Sequence, residues 1–288
     1  MREPPFADAA ALIYGGGKGI GRAVALEWAA RGARLAVADL DESAAEDTAQ
    51  TIRDRGGEAV ALRCDVLSDS SVAAAGRRAE EALGPLEIVM NNVGGMLNGH
   101  PEDVPFREWQ RMIDLNYLAV VRGIGEFLPQ MLERGAGHLV CTASFAGFYP
   151  YAASRVPYAA AKAAVIALAE NLAIYCEPQG VRVSCLIPGP VMTGVMESMT
   201  SWTLDAPMRG PGAELELKIP DEVATTLADG MRDGRVLIPS DPAVWEIVRR
   251  WAADPEAFIH AKIAEFAAGE SGRPRIPEAL LKAMDPAR

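Results

Sequence analysis

Over the first 190 residues, short apolar runs alternate with longer stretches that carry a helical pattern. The apolar runs fall at Ala10–Tyr14, Arg34–Ala38, Ala59–Cys64, Leu86–Met90, His138–Thr142 and Arg182–Ile187 and predict strands. The helical stretches lie near 20–31, 43–55, 69–83, 106–134 and 156–176. Strand and helix in strict alternation predict a parallel sheet with crossover helices. The fold class expected is therefore α/β, a Rossmann-type doubly wound sheet in one domain spanning 1–288. No internal repeat and no linker divides the chain. The stretch at 156–176 has alanine at 159, 160, 161, 163, 164, 167 and 169, so another helix can approach it closely, from the same fold or from another subunit.

Beyond Thr193 the alternation breaks down. Residues 194–230 set Met196, Met199, Trp202 and Met208 among prolines and glycines. Apolar side chains with little periodicity suit a lid that orders over an apolar substrate, or a fixed wall packed against the C-terminal helix. A last strand at Val236–Ile238 and a helix near 242–268 follow, then a tail containing Pro and charge. This extension, 240–288, either covers the substrate cleft or joins a subunit assembly.

Two local patterns carry chemistry. The first is the turn after the first strand, Tyr14 followed by GGGKGIG, with Gly15, Gly19 and Gly21 between strand and helix. A pyrophosphate needs such close backbone approach and a helix N-terminus with free N–H groups. The second strand ends in Asp39, whose carboxylate can accept from both ribose hydroxyls and would repel a 2′-phosphate. NAD is thus favoured as cofactor over NADP, although Lys18 in the glycine loop could meet that phosphate. The second pattern is Tyr158 and Lys162, four residues apart and so on one helix face. A free phenol has a pKa of about 10, and a nearby ammonium favours its phenolate. Lowering it to about 7 takes roughly 4 kcal/mol, which a cation in a partly dry site can supply.

Charge and composition narrow the partners. A formal net charge of −11 and a pI near 4.9 argue against nucleic acid or an anionic membrane. His100, His138 and His260 stand in no metal-ligand spacing, so no metal is expected. Cys64, Cys141, Cys176 and Cys185 form no CxxC and read as reduced core residues of a cytoplasmic protein. No basic segment followed by an apolar run opens the chain, and no apolar stretch of about 18 residues is expected to span a membrane.

From about residue 10 to 195 the chain resembles the short-chain dehydrogenase/reductase family, its motifs in collinear order. The family's glycine motif matches Gly15, Gly19, Ile20 and Gly21, with Lys18 between them. Its adenine-contacting pair is similar to Asp65-Val66, and its NNAG segment to Asn91-Asn92-Val93-Gly94. The active-site asparagine corresponds to Asn116 in DLNYL, the serine to Ser144 in TASFAG, and the YxxxK pair to Tyr158 and Lys162. The PG motif that cradles nicotinamide corresponds to Pro188, Gly189, Val191 and Thr193. Thr142, Tyr149, Tyr151 and Ser154 compete with Ser144 but lack its spacing and flanking residues. Two departures stand out: Tyr14 replaces a small hydroxyl residue and Val93 replaces alanine, and both are expected to touch cofactor seating.

The resemblance implies an oxidoreductase that interconverts a secondary alcohol and a ketone by hydride transfer. Ser144 would hold the substrate oxygen, Tyr158 would act as general acid/base, Lys162 would lower the Tyr158 pKa and hold the ribose, and Asn116 would position a water linking Lys162 to solvent. Expected substrate walls are Gly95, Met96, Phe145, Phe148, Tyr151, Met192, Met196 and Trp202, which suit a bulky apolar or aromatic alcohol, unless several only pack the core or an interface. FAGFYPYAA and PVMTGVMESM contain no Arg or Lys, which argues against phosphorylated or coenzyme A substrates. The alternative is a non-catalytic dinucleotide sensor or scaffold, with dehydration or epimerisation a third possibility. The family's frequent assembly makes a homo-oligomer, dimer or tetramer, the expected state.

Overall fold

A computed structural model describes residues 6–194, 199–270, 272–278 and 280–281. Among them, seven parallel strands form one sheet: β1 (Ala10–Tyr14), β2 (Arg34–Asp39), β3 (Ala59–Arg63), β4 (Ile88–Asn91), β6 (Gly137–Thr142), β7 (Val181–Ile187) and β9 (Leu237–Pro239). Two short strands, β5 (Leu97–Asn98) and β8 (Thr200–Ser201), pair with each other beside it, Leu97 opposite Thr200 and Asn98 opposite Ser201. The sheet order is β3-β2-β1-β4-β6-β7-β9. The chain first winds outward from β1 through β2 to β3, then returns to lay β4 on the other side of β1. That reversal leaves a crevice between the carboxyl ends of β1 and β4, where ligands of such sheets bind.

Successive strand residues point to opposite faces, so each strand feeds two cores. On β1, Leu12 and Tyr14 join Val72, Phe127, Val165 and Ile166 on one side. Ala11 and Ile13 join Val24, Trp28, Ile52 and Leu227 on the other. The first side is covered by α3 (Asp69–Leu83), α5 (Ala119–Arg134) and α6 (Val156–Cys176). The second is covered by α1 (Gly19–Ala30), α2 (Glu42–Asp54) and α7 (Pro220–Arg232). Burying each of these large side chains contributes about 1.5–3 kcal/mol. All four cysteines are free and buried, as their apolar surroundings suggest.

Three expectations need correction. The helix at 106–134 is α4 (Phe106–Ile113) and α5 joined by a π-helical turn at Asp114–Leu118. Within that turn the Asn116 side chain takes the Met112 carbonyl, 3.1 Å away, so the regular backbone ladder widens. The helix near 242–268 is two, α8 (Val244–Ala253) and α9 (Pro255–Ala267). Pro255 disfavours helical backbone at Asp254, whose carboxylate instead caps α9 through the Ala257 N–H. The segment 194–230 also ends differently, because α7 buries Val223, Ala224, Leu227 and Met231 completely and belongs to the core. An even apolar character, carried largely by alanine, makes residues Ala153–Gln179 long and apolar enough to cross a membrane by length and composition alone. Here that helix packs its Ala161, Val165 and Ala169 face against the sheet.

His138 lies wholly inside, at the start of β6. Its Nε2 is 2.9 Å from Ser184 Oγ, which itself donates to the Arg235 carbonyl, so the ring donates from Nε2. Burial, with the Arg182 charge beside it, pushes the imidazole down to about 3. The neutral ring therefore supports folding fully above pH 6.5, and that support is lost as pH falls from 6.5 towards 3. Between pH 7 and 4.5 His138 should cost about 2 kcal/mol of stability. Urea unfolding should show a shallower acid limb in His138→Gln by that amount, whereas parallel limbs would rule the effect out.

Candidate active site

The crevice opens into a cleft of about 1200 Å³. Its dinucleotide end is built on the turn after β1. Gly15 and Gly19 hold left-handed backbone, φ 75° and 54°, which side chains resist. A Cβ on Gly21 would stand 1.9 Å from the Gly15 carbonyl oxygen, so only glycine lets α1 start this close to the loop. Asn92, just past β4, donates to the same carbonyl at 3.0 Å and accepts from Thr142 Oγ1 at 3.1 Å. One amide thus ties the glycine turn to β4 and β6. At the tip of β2, Asp39 accepts from the Gly17 and Asp41 N–H groups, one at each carboxylate oxygen (3.0 and 3.1 Å). Lys18 pairs with Asp41 at 2.7 Å, an exposed contact that raises the lysine pKa and lowers that of the carboxyl.

At the other end, Ser144 follows β6 and Tyr158 and Lys162 stand one turn apart on α6. Ser144 caps a short turn at Phe145–Gly147, its Oγ accepting from the Ala146 N–H at 3.2 Å. A Cβ on Gly147 would lie 2.4 Å from the Lys162 carbonyl carbon, so the missing side chain lets this turn sit directly on α6. Lys162 is buried and donates to the Thr142 carbonyl at 2.8 Å. Burial pulls its ammonium down to about 8. Gly94 runs between this ammonium and Asn116: a Cβ there would meet Asn116 Oδ1 at 2.8 Å and Lys162 Nζ at 3.1 Å.

Most of the expected residues meet here. Gly15, Lys18, Gly19, Ile20, Asp39, Asp65, Val66, Asn92, Val93, Gly94, Pro188, Gly189, Val191 and Thr193 line the cleft, with Met96, Ser144, Tyr151, Tyr158 and Lys162. Gly21 and Asn116 stand behind the lining. The Asn116 side chain accepts from the Gly95 N–H at 3.1 Å and donates to the Gly95 and Met112 carbonyls. It therefore braces the Gly94–Gly95 strip.

Other expectations fail for packing reasons. Phe145 is wholly buried, and its ring backs Gly189, where a Cβ would come within 2.7 Å. Phe148 is half-buried outside the cleft lining and meets Trp245 edge-on against the core. Met192 is exposed outside the cleft, and Trp202 packs with Leu97, Val104 and Met112 under the β5–β8 pair. Met196 lies outside the described residues. Tyr14 does not crowd the cofactor end: its ring turns into the core and its hydroxyl donates to the Val72 carbonyl. The Tyr158 phenol is raised, not lowered. Burial drives it up, while the Ser144 hydroxyl and the Arg155 charge pull the other way. The Lys162 ammonium lies over the Tyr158 ring, 5.9 Å from its centre.

Met208 of the 194–230 segment lines the cleft, and so do residues the sequence does not single out: Arg155, Arg209, Leu217, Arg273 and Pro274. Arg155 lies three positions before Tyr158, just past the stretch searched for cations. The others arrive through tertiary contact. Two backbone bonds tie the tail to residues 215–217, from Leu217 N–H to the Arg275 carbonyl at 2.9 Å and from Arg275 N–H to the Leu215 carbonyl at 2.8 Å. Arg209 donates to the Glu265 and Phe266 carbonyls at the end of α9. The C-terminal extension thus closes one wall of the cleft. Residues 199–219 are bonded to β5 at one end and to this extension at the other.

Sequence and fold comparisons agree with this geometry. The family described as short chain dehydrogenase matches residues 9–204. The chain belongs to the short-chain dehydrogenase/reductase family. It is 33% identical over 190 residues to 2,5-dichloro-2,5-cyclohexadiene-1,4-diol dehydrogenase of Sphingobium indicum, covering 66% of this chain and 76% of that one. It is 28% identical over 243 residues to the 7alpha-hydroxysteroid dehydrogenase of Escherichia coli, covering 82% and 94%. A solved short chain dehydrogenase/reductase from Burkholderia phymatum, in complex with NAD, superposes with a TM-score of 0.77 at 31% identity, covering 88% and 96%.

Proposed function

We propose that this protein is an NAD-dependent oxidoreductase that interconverts a secondary alcohol and a ketone on a bulky substrate, with Tyr158 as general acid/base. The observation that carries this reading is the gathering of Ser144, Tyr158 and Lys162 along one cleft whose far end is a glycine turn closed by Asp39. A dinucleotide fits that end, because the Gly15, Gly19 and Gly21 positions leave the space a Cβ would fill and the start of α1 offers N–H donors. When bound, its nicotinamide supplies or accepts the hydride.

The protein's own part is to orient the substrate and move one proton. Ser144 Oγ accepts from the Ala146 N–H and its hydroxyl stands beside the Tyr158 phenol, so on substrate binding its hydrogen can turn to the substrate oxygen and stabilise developing charge there. Tyr158 is partly exposed to the cleft, and its phenol is held in the protonated form by burial. That suits donation to the oxygen of a ketone, and in the reverse direction it accepts the hydroxyl proton. Lys162 supplies a fixed positive charge beside this pair and a donor for a ribose. Met96, Tyr151, Met208 and Leu217 offer the apolar surface a large ring system needs.

Replacing Tyr158 with Phe keeps the ring and removes the proton. Turnover should fall by about 10²–10⁴-fold while NADH affinity stays within a few-fold of wild type, read by steady-state rates and fluorescence titration. A variant retaining more than a tenth of wild-type kcat would remove Tyr158 from this role.

The cofactor preference rests on Asp39, which stands at the ribose end, while Lys18 is engaged by Asp41. NAD(H) should bind more tightly than NADP(H) in direct titration, and Asp39→Ala should narrow the gap. Tighter binding of NADP(H) by the unaltered protein would reverse the assignment.

A further inference from the structure

The chain is acidic overall, yet the substrate end of the cleft is edged by arginines, and one of them is in an unusual position. Arg155 is only 7% exposed and lines the cleft three residues before Tyr158. Among the described residues no carboxylate lies within ion-pair distance of it. Among the described residues its guanidinium makes one hydrogen bond, from Nη2 to the Arg209 carbonyl, and its buried Nε meets no acceptor. Its guanidinium lies over the Tyr151 ring, 5.8 Å from the centre, which shields it from water on that side.

The helix behind it makes matters worse for a lone cation. Arg155 occupies the N-terminal boundary of α6, a helix of 21 residues whose first turn has no acidic residue and whose cap position makes no side-chain bond. The N-terminal end of the helix carries a partial positive charge, and neither it nor the guanidinium is met by an acidic residue of that first turn. Arg209, by contrast, is answered by the carbonyl end of α9 and stacks on Phe266 at 4.3 Å. Among the described residues Arg155 is answered by the single Arg209 carbonyl and by no carboxylate. A buried, unpaired charge is costly, and its cost falls when a ligand brings the opposite charge.

We infer that the substrate carries a carboxylate, and that Arg155 binds it, selecting acids over their neutral esters. This rests on the oxidoreductase reading above and extends it to a substrate class. Arg155 lies over Tyr151 and bonds the Arg209 carbonyl, and all three line the same cleft as Tyr158, whereas Asp39 and Asp65 line its dinucleotide end. An anion held at Arg155 would therefore sit beside Tyr151, within reach of the cleft that Tyr158 also lines. A planar guanidinium suits a carboxylate in particular, because two N–H donors match its two oxygens.

The test uses ketone acids with the carboxylate at graded distances, benzoylformate, 3-benzoylpropionate and 4-acetylbenzoate, each beside its methyl ester. Calorimetric titration measures binding to the full chain with NADH present, and turnover is followed separately. At least one acid should bind about tenfold or more tightly than its ester, as a charge-assisted pair in a partly dry site provides. Arg155→Gln should abolish that preference with ester binding and NADH affinity unchanged, and Arg155→Lys should restore part of it. Circular dichroism and thermal unfolding confirm that each variant folds. Equal binding of every acid and its ester by the unaltered protein would overturn the inference without needing any variant, and so would an acid preference that survives Arg155→Gln. Acid-selective binding without turnover would leave this inference standing and contradict the oxidoreductase reading. Turnover of esters and acids alike would do the reverse.

Discussion

Everything in the cleft hangs on one buried ammonium. Lys162 gives up its water to donate to the Thr142 carbonyl, and that bond joins the middle of the sheet to α6. The desolvation is expensive, which is why the ammonium is pulled down to about 8. It is tolerable because everything around it is small. Gly94 lets the strip after β4 pass beside the ammonium, and Gly147 lets the Ser144 turn rest on the helix backbone. Fixing Lys162 therefore fixes Tyr158 one turn away and Ser144 opposite it. Positioning of this kind, with little reorganisation left for the reaction, is where enzymes gain most.

The two ends of the cleft have opposite electrostatics. Asp39, Asp41 and Asp65 lie at the end beside β2, and Arg155, Arg209 and Arg273 at the end beside α6. On a chain of net charge −11, three arginines lining one cleft with no carboxylate at ion-pair distance among the described residues go against the average. Burial raises the Tyr158 phenol and keeps it protonated at neutral pH, while the Ser144 hydroxyl and then the Arg155 charge oppose the rise. Lys162 acts on the ring face and on the site as a whole instead of bonding the phenol directly.

Much of this was legible in the chain because it is local. Strand and helix alternation foretold the sheet nearly to the residue, and the spacing of Tyr158 and Lys162 needs only a helix to bring them together. The glycine turn and Asp39 were readable because backbone conformation and strand order are short-range matters. What stayed hidden depends on packing. Phe145 looked like a substrate wall because it follows Ser144, but the turn there points it behind Gly189 into the core. Tyr14 looked obstructive because it precedes the glycines, but strand alternation turns it to the other face. Arg273 and Leu217 reach the cleft only because the tail bonds back along residues 212–217, over 50 residues away in sequence. No periodicity announces such a contact.

The central claim is that this cleft moves a hydride between dinucleotide and substrate while Tyr158 moves the proton. Reduction of a ketone that the protein accepts, with NADH deuterated at the transferable position, reads the hydride directly. Mass spectrometry of the alcohol should show one deuterium on the carbinol carbon and none on its oxygen after exchange into water. An alcohol formed without deuterium on that carbon from either face-labelled NADH, or a product with no net reduction, would contradict the account.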